Sequence, residues 1–539
     1  VNDFTLTAGE WVQVGPNIAD FSVTNDFTLG DTDTAIFKRF AGGTGASASH
    51  AYLIDDVYGL QGIDSAEAML SNHFKLNRNI EANVTENWNG ALGFDPIGGF
   101  SSGEFFEGTF DGQDFEIRNL VINNNSTSGG LFSIIAGSSE VKNFSLITPD
   151  IYNRDAGALA FALAYRSGIE PYFQSFVDRV YVKGGSIESS GYAGGLFAFV
   201  EQGAVITNSG SSAAVTGNGG VGGLIGAAEW GGVVLDNVYA TGDVVNSSSF
   251  GSTGGLVGYL YADPYFEAFD YDITINKAFS SGTVTVNGGS AGGFVGVVFQ
   301  EDDSGNLNIT DSYSHSNIVN LGASGNLGGF VGYAGDASTV ARMTLNSVYS
   351  TGSVTFTPSG STFAGAFAGT LVATVSADVI DSFYDSSVNT LPIVGNGETF
   401  SVGAPIGRST AQMKMKSTFT SAGWDFNNIW QIDSGPNYPT FRLHPLPGVL
   451  PVLLLETSKV YRYLNLFRFH LFGSLPKIKS RDLGSSASLV DTARDRVMVD
   501  YVVASEERVL ESTEKTELIS IERGVYENAP YERNITVAP

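Results

Sequence analysis

From Val1 to about Ile54, apolar and polar residues alternate in strand fashion, as in Phe4-Thr5-Leu6, Trp11-Val12-Gln13-Val14 and Phe21-Ser22-Val23. Gly, Asn and Asp separate the runs, and a period of two reads as half-buried strands joined by turns. Residues Asp64 to Leu76, around Ala66-Glu67-Ala68-Met69-Leu70, read instead as a helical piece. Strand character then resumes, and from about residue 115 to 390 the pattern repeats.

One recurring phrase is a diglycine followed by two apolar residues. It reads Gly129-Gly130-Leu131-Phe132, Gly194-Gly195-Leu196-Phe197, Gly222-Gly223-Leu224-Ile225 and Gly254-Gly255-Leu256-Val257. Gly292-Gly293-Phe294-Val295 and Gly328-Gly329-Phe330-Val331 follow, and degenerate copies start at Gly157 and Gly365. Successive starts lie 28, 37, 28, 32, 38, 36 and 37 residues apart, a period that signals a solenoid, a propeller or an array. A second phrase places an aromatic five residues before a branched aliphatic. Its columns are Tyr239, Phe279, Tyr313, Tyr349 and Phe383, and Val244, Val284, Ile318, Val354 and Val388. Columns of like residues are what stacked coils require, since each coil lies one strand spacing, about 4.8 Å, above the last. Gly and β-branched residues exclude helical repeats, and no Trp-Asp blade signature supports a propeller. The reading is an all-β chain, one continuous parallel β-helix over most of 90–400. At about 20 residues per coil, each repeat holds two coils and the rod is about 70 Å long.

Five segments follow: an amino-terminal β segment (1–56), a lead-in (57–128), the solenoid (129–400), a closing unit (401–442) and a tail (443–539). Insertions such as Asp263 to Asp272 and Gln300 to Asn306 read as loops pushed out from one edge of the coils. In the closing unit, Trp424, Phe426 and Trp430 are expected to cap the open end of the stack. The tail is separable: only 4 of the 99 residues from Phe441 are Gly, and Pro445, Pro447 and Pro451 interrupt any regular element leading into it.

Charge narrows the partners. The net charge of −28 lies wholly within the first 440 residues, which hold 15 basic and 43 acidic side chains. Such a body repels phosphate backbones, so no nucleic acid is expected. Cysteine is absent, which excludes disulfides, zinc-thiolate sites and thiol nucleophiles. The longest apolar run, Pro447 to Leu455, is too short for a membrane span.

The phrases resemble the GLUG repeats of filamentous-haemagglutinin-like bacterial exoproteins and adhesins. Tyr58 to Ile63, Trp88, Phe94 to Gly98, and Gly108 to Gly112 with Ile117-Arg118-Asn119-Leu120 resemble the lead-in of such proteins. Gly407 to Met413, Gly423 to Phe426 and Tyr438-Pro439 resemble their finish. The resemblance covers roughly 1–442. It implies a right-handed parallel β-helix (β-solenoid) with loop insertions and a non-solenoid carboxy-terminal tail, exported to the surface or surroundings of a Gram-negative bacterium. The amino-terminal secretion domain of that family is missing, which fits a fragment or a processed product.

Candidate chemistry is sparse. A polysaccharide lyase needs a base near calcium or a Lys/Arg cluster, and residues 119–407 hold only Lys142, Arg154, Arg166, Arg179, Lys183, Lys277 and Arg342, none grouped. Carboxylate pairs for a glycosidase, such as Asp302 with Asp303 or Asp270 with Asp272, read as solvated loop residues in so acidic a chain. The histidines are isolated, and His315, aligned with Thr241, Ser281 and Thr351, reads as exposed. No cofactor is expected. The metal best suited to the oxygen-rich turns Asp31-Thr32-Asp33 and Glu301 to Asn306 is one structural calcium ion, although neither completes a known calcium loop. The aromatic columns read as stabilising stacks. Tyr265, Phe266, Phe269 and Tyr271, in an insertion with no period to satisfy, form the candidate ligand-contact loop. The sequence thus points to an exported adhesive or structural solenoid without catalytic activity, whose partners are surface glycans or proteins of a host or neighbouring cell. The alternatives are a β-helix carbohydrate-active enzyme and a passive surface-layer scaffold.

Overall fold

A computed structural model describes residues 1–442, apart from 100–102, 164–173, 263–271, 301–304, 336–340, 359–360, 373–374, 399 and 433–436, together with 518–521 and 535–538. The chain divides into two compact units, Val1–His444 and Pro445–Pro539. In the second, Leu518–Ile521 and Ile535–Ala538 form an antiparallel pair. The first is a parallel β-helix.

Each coil runs through four faces. In one coil the long first face is Val233–Asp236 and Tyr239–Ala240, the second Val244–Asn246, the third Ser252–Gly254 and the fourth Val257–Ala262. Each strand pairs in parallel with its counterpart one coil along. Val205 aligns with Val234, Val234 with Thr274, Thr274 with Asn308 and Asn308 with Thr344. One repeat is therefore one coil. The expectation of two coils per repeat fails because a four-faced coil has a longer perimeter than the three-sided one that about 20 residues can close. The stack from Tyr52 to Ile406 on the first face is accordingly shorter, about 50 Å at one strand spacing per coil.

The first face bends once per coil at a residue in the left-handed backbone region. The bend column is Asn143, Arg179, Asn208, Asn237, Lys277, Asp311, Ser347 and Asp381, with φ between 44° and 61°. Asn tolerates this conformation best among non-glycine residues, which accounts for its frequency here.

The diglycine builds the corner between the third and fourth faces. A Cβ on Gly254 would lie 1.9 Å from the carbonyl oxygen of Val257, across the tight turn. A Cβ on Gly255 would lie 2.1 Å from the carbonyl oxygen of Gly293, one coil along. The next residue points inward and forms a buried column, in which Phe294, Phe330 and Phe367 stack at 4.7 and 5.1 Å. On the second face, Ile122, Ile151, Ile187, Val215, Val244, Val284 and Ile318 form the expected aliphatic column. Val388 leaves it, because Asp385 accepts from its backbone N–H in a turn that exposes the side chain.

The amino-terminal segment joins this core. Gly9–Val14 pairs in parallel with Ala35–Phe40, and Phe4, Trp11, Phe21, Phe27, Phe37, Tyr58 and Trp88 pack as a continuous aromatic plug. The helical piece expected over Asp64 to Leu76 is instead two short turns, Gly62–Ser65 and Glu67–Met69, followed by the strand His73–Leu76. Pairing of that strand with Tyr52–Ile54 overrides the helix propensity of its residues.

The closing unit does not cap the end of the stack. It lies along the side of the coils, over an outward aromatic ladder. Tyr239, Phe279, Tyr313 and Tyr349 are in register and stack at 5.4, 4.9 and 5.1 Å, continuing to Phe383. They point away from the core because Val238 and Ala240 on either side point in. Met413, Phe419, Trp424, Phe426, Trp430 and Phe441 bury the Tyr313–Phe383 end of the ladder in a cluster of its own. Its indole N–H groups bond the coils directly, Trp430 to Asp311 Oδ1 at 3.0 Å and Trp424 to the Asp381 carbonyl at 2.7 Å. Exposed aromatic rows cost stability, and covering them supplies what an end cap was expected to supply.

Candidate functional site

The connections from the fourth face to the next coil all leave at one corner and differ in length. They range from three residues between Glu229 and Val233 to eleven between Leu163 and Ser175. The opposite corner, built by the diglycine, does not vary. Tyr265, Phe266, Phe269 and Tyr271 lie outside the described residues, but their flanking strands, Val257–Ala262 and Ile273–Asn276, put their connection at this variable corner. Asp270, Asp302 and Asp303 are also outside the described residues. Asp272 accepts from Asn306 and Asn308, so it ties two coils together.

Beside that corner, the outer side of the fourth face carries two columns. In the first, Phe199, Ala227, Tyr259, Val297, Tyr333 and Thr370 are in register. The large rings occupy every second coil, about 9.6 Å apart at two strand spacings. In the second, Glu201 and Glu229 follow those positions on successive coils, and Glu229 aligns with Tyr261 and Tyr261 with Phe299. Phe199, Tyr259 and Tyr333 are half-buried. Tyr192 packs on Phe199 at 4.4 Å, Tyr261 lies 6.1 Å from Tyr259, and Trp230 meets Tyr261 edge-on at 5.5 Å. Trp230 holds φ at 72°, an unusual conformation for a bulky residue.

Burial pushes Glu201 up to about 7, with the Glu229 charge adding to the shift, and burial also raises Glu229. Near neutral pH this pair can both donate and accept hydrogen bonds. These residues were not singled out from the sequence. The signal was present, since the second position after the four-residue diglycine phrase is aromatic in alternate copies: Phe199, Tyr259 and Tyr333, with Ala227 and Val297 between.

His315 is not the exposed side chain expected. It sits under the closing unit, Nδ1 against Thr351 Oγ1 at 2.6 Å and Nε2 against the Tyr349 hydroxyl at 3.1 Å, with the Tyr438 ring 5.4 Å away. Burial lowers its pKa to about 4. Tyr349 donates to the Pro439 carbonyl, and Tyr438 donates to Asp385 Oδ2 at 2.7 Å. This network fastens the closing unit. In the lead-in, Asp64 is raised to about 8 by burial and by Asp95, and accepts from the Gly98 backbone N–H at 2.8 Å. Asp33 Oδ1 accepts from the Glu67 backbone N–H, which gives the Asp31-Thr32-Asp33 turn a structural partner. Among the described residues, no group of three or more His, Asp and Glu side chains is gathered as a metal site.

No family model matches the chain. Over 122 residues it is 32% identical to halomucin of Haloquadratum walsbyi, a stretch that covers 22% of this chain and 1% of that protein. Over 173 residues it is 31% identical to a "Putative Gly-rich membrane protein" of Evansella cellulosilytica, covering 32% of this chain and 14% of that one. This chain thus matches only a small part of the length of either relative. Among solved structures it is similar to a "putative immunoglobulin A1 protease" of Bacteroides ovatus, with 17% identity and a TM-score of 0.43, covering 76% of this chain and 97% of the other. A second structure, named IgA1 Protease, has 18% identity and a TM-score of 0.38, with 83% and 30% covered. The names of these structures contradict the expectation of a chain without catalytic activity, and that expectation is withdrawn. At this identity the likeness transfers no reaction and no catalytic residue. Among the described residues, no helix is long and apolar enough to cross a membrane.

Proposed function

We propose that this chain is an exported solenoid of the GLUG-repeat type that acts on the outside of a bacterial cell, as an adhesin or the stalk of one. The observation that carries the reading is the contrast between the two corners of the fourth face. One is held constant by glycines that admit no Cβ, and the other accepts connections of three to eleven residues. A rigid stack whose widest variation lies at one corner presents variable surface on a fixed frame, the arrangement by which repeat proteins differentiate their contacts. The halomucin likeness and the acidic charge of the solenoid are consistent with an extracellular setting.

The test is antibody labelling of intact producing cells, paired with a search of the culture medium. Signal on intact cells or in the medium is expected. Signal that appears only after lysis would sink the proposal.

A further inference from the structure

Asp-Pro occurs twice in the chain, at Asp95-Pro96 and at Asp263-Pro264, and the first stands among groups suited to breaking it. We propose that the protein cleaves its own Asp95–Pro96 bond, with the Asp95 carboxylate as nucleophile, Gln61 as oxyanion donor and Asp64 as proton donor. The inference goes beyond the extracellular reading and does not rest on it.

The chemistry follows from the two residue types. An aspartate carboxylate can attack its own main-chain carbonyl carbon and close a five-membered succinic anhydride. The bond that breaks is the one to the Pro nitrogen, a tertiary amide that leaves as a secondary amine when it receives a proton. Water then opens the anhydride, so that Asp95 ends in a free α-carboxyl and Pro96 becomes a new amino terminus. Opening releases two protons, of which one restores the donor and the other charges the Pro96 amine. The net change is the addition of one water.

The parts are in place around the bond. Gln61 is buried and clamps both main-chain groups of Asp95. Its Nε2 donates to the Asp95 carbonyl oxygen at 3.0 Å, and its Oε1 accepts from the Asp95 N–H at 2.9 Å. The oxygen that becomes the oxyanion therefore already has a donor. Asp64 lies alongside, its Oδ1 accepting from the Gly98 backbone N–H at 2.8 Å, two residues past the bond. Asp95 and Glu104 are the carboxylates whose charge acts on it. With burial as the larger cause, they raise Asp64 to about 8, so it holds a proton at neutral pH. The Asp95 carboxyl is hemmed in by the surrounding chain, which raises its pKa, while the outer side of the residue reaches solvent and so reaches water.

The cut would leave the fold standing. Phe94 and Ile97, on either side of the bond, are buried, and their N–H groups donate to the Val121 and Leu131 carbonyls. His73–Leu76 and Ile80–Glu81, before the bond, pair in parallel with Thr109–Arg118 beyond it. The amino-terminal aromatic plug would thereafter be held to the coils by strand pairing and packing alone.

The experiment follows the mass of the purified full chain during incubation from mildly acid to mildly alkaline pH, with protease inhibitors present. Fragments 1–95 and 96–539 should accumulate with first-order kinetics and separate only on denaturation. The rate should be bell-shaped in pH, falling above about 8 as Asp64 ionises and falling in acid as Asp95 takes up a proton. Asp64→Asn keeps an acceptor for Gly98 and should slow cleavage by about tenfold or more, as should Gln61→Met. Asp95→Glu, which must close a larger ring, should also be slow. Thermal melting of each variant shows that the fold persists. Asp263–Pro264, outside the described residues, is the internal reference and should break more slowly.

An unchanged mass at every pH overturns the proposal, and so does an unaltered rate in folded Asp64→Asn. Cleavage at Asp95–Pro96 no faster than at Asp263–Pro264, or no faster than in urea-unfolded chain, also overturns it, since that is the ordinary lability of an Asp-Pro bond. None of these results bears on whether intact cells are labelled, so the two readings fail separately.

Discussion

At the scale of single residues, the diglycine is a steric requirement. Neither Gly254 nor Gly255 has a positive φ, so conformational freedom is not what selects them. Carbonyl oxygens stand where their Cβ atoms would go, one from the same turn and one from the next coil. Gly255→Ala should therefore force two coils apart, at a cost of about 1–3 kcal/mol, read as a lowered melting temperature. An unchanged melting curve would mean that the corner yields easily.

His315 gives a second prediction at this scale. Its folded pKa of about 4 lies below the ordinary 6.5, so the unfolded chain takes up the proton first as pH falls. Stability from this group is intact above about pH 6.5 and is lost progressively as pH drops towards 4. Protonation would place a charge between Tyr313, Tyr349 and Tyr438, with Asp385 bonded to Tyr438 as the carboxylate of that network. Glu201 and Asp64 act with the opposite sign. Their raised folded values stabilise the protein as pH falls from about 8 towards 4. A local probe separates the two. Fluorescence of Trp424 and Trp430 should report loosening of the closing unit between pH 6.5 and 4, and His315→Gln should remove that transition.

At the scale of elements, the closing unit and the aromatic ladder form one structure. Trp430 is fully buried against Tyr313 and Tyr349 and bonds Asp311 in the bend column. Trp430→Ala should destabilise the closing unit by about 3–5 kcal/mol. The unit should then melt ahead of the β-rich signal in circular dichroism, because the solenoid core lies on the other side of the ladder strands. A single shared transition would show that the ladder cannot stand uncovered. Stacking of the column was legible from Tyr239 to Phe383, since one aromatic per copy at intervals of 34 to 40 residues sets like rings above one another once the coils stack. Its outward direction and its cover were not. The alternation that turns the ladder outward is local, but its cover lies far along the chain, Trp430 being 117 residues beyond Tyr313, in a segment with no period of its own.

At the scale of the whole solenoid, coil count follows repeat count. Deleting residues 205–273 joins Ala204 to Thr274 and preserves register, because Val205, Val234 and Thr274 occupy equivalent positions. In a chain ending at His444, this deletion should keep the β-rich spectrum and shorten the maximum dimension from small-angle scattering by about 10 Å. A loss of about 20 Å would restore two coils per repeat. Compositional periodicity reports that coils exist and which residues share a column. It does not report how many sides a coil has, because that depends on where the backbone bends, and the bend column is chemically mixed. Asn143, Arg179, Lys277, Asp311 and Ser347 share a left-handed conformation and little else.

The sequence by itself determined the parallel stacking, the existence of the aliphatic column and of the aromatic ladder, and the departure of the long insertions from one edge. These depend on neighbours one coil away, and every coil repeats the statement. Tertiary structure alone decided the direction of the aromatic ladder, the lateral seat of the closing unit, the burial of His315 and the pairing of Glu201 with Glu229 beside alternate rings. The seat of the closing unit and the burial of His315 depend on contacts made once, between segments that share no period, and a contact made once leaves no pattern along the chain.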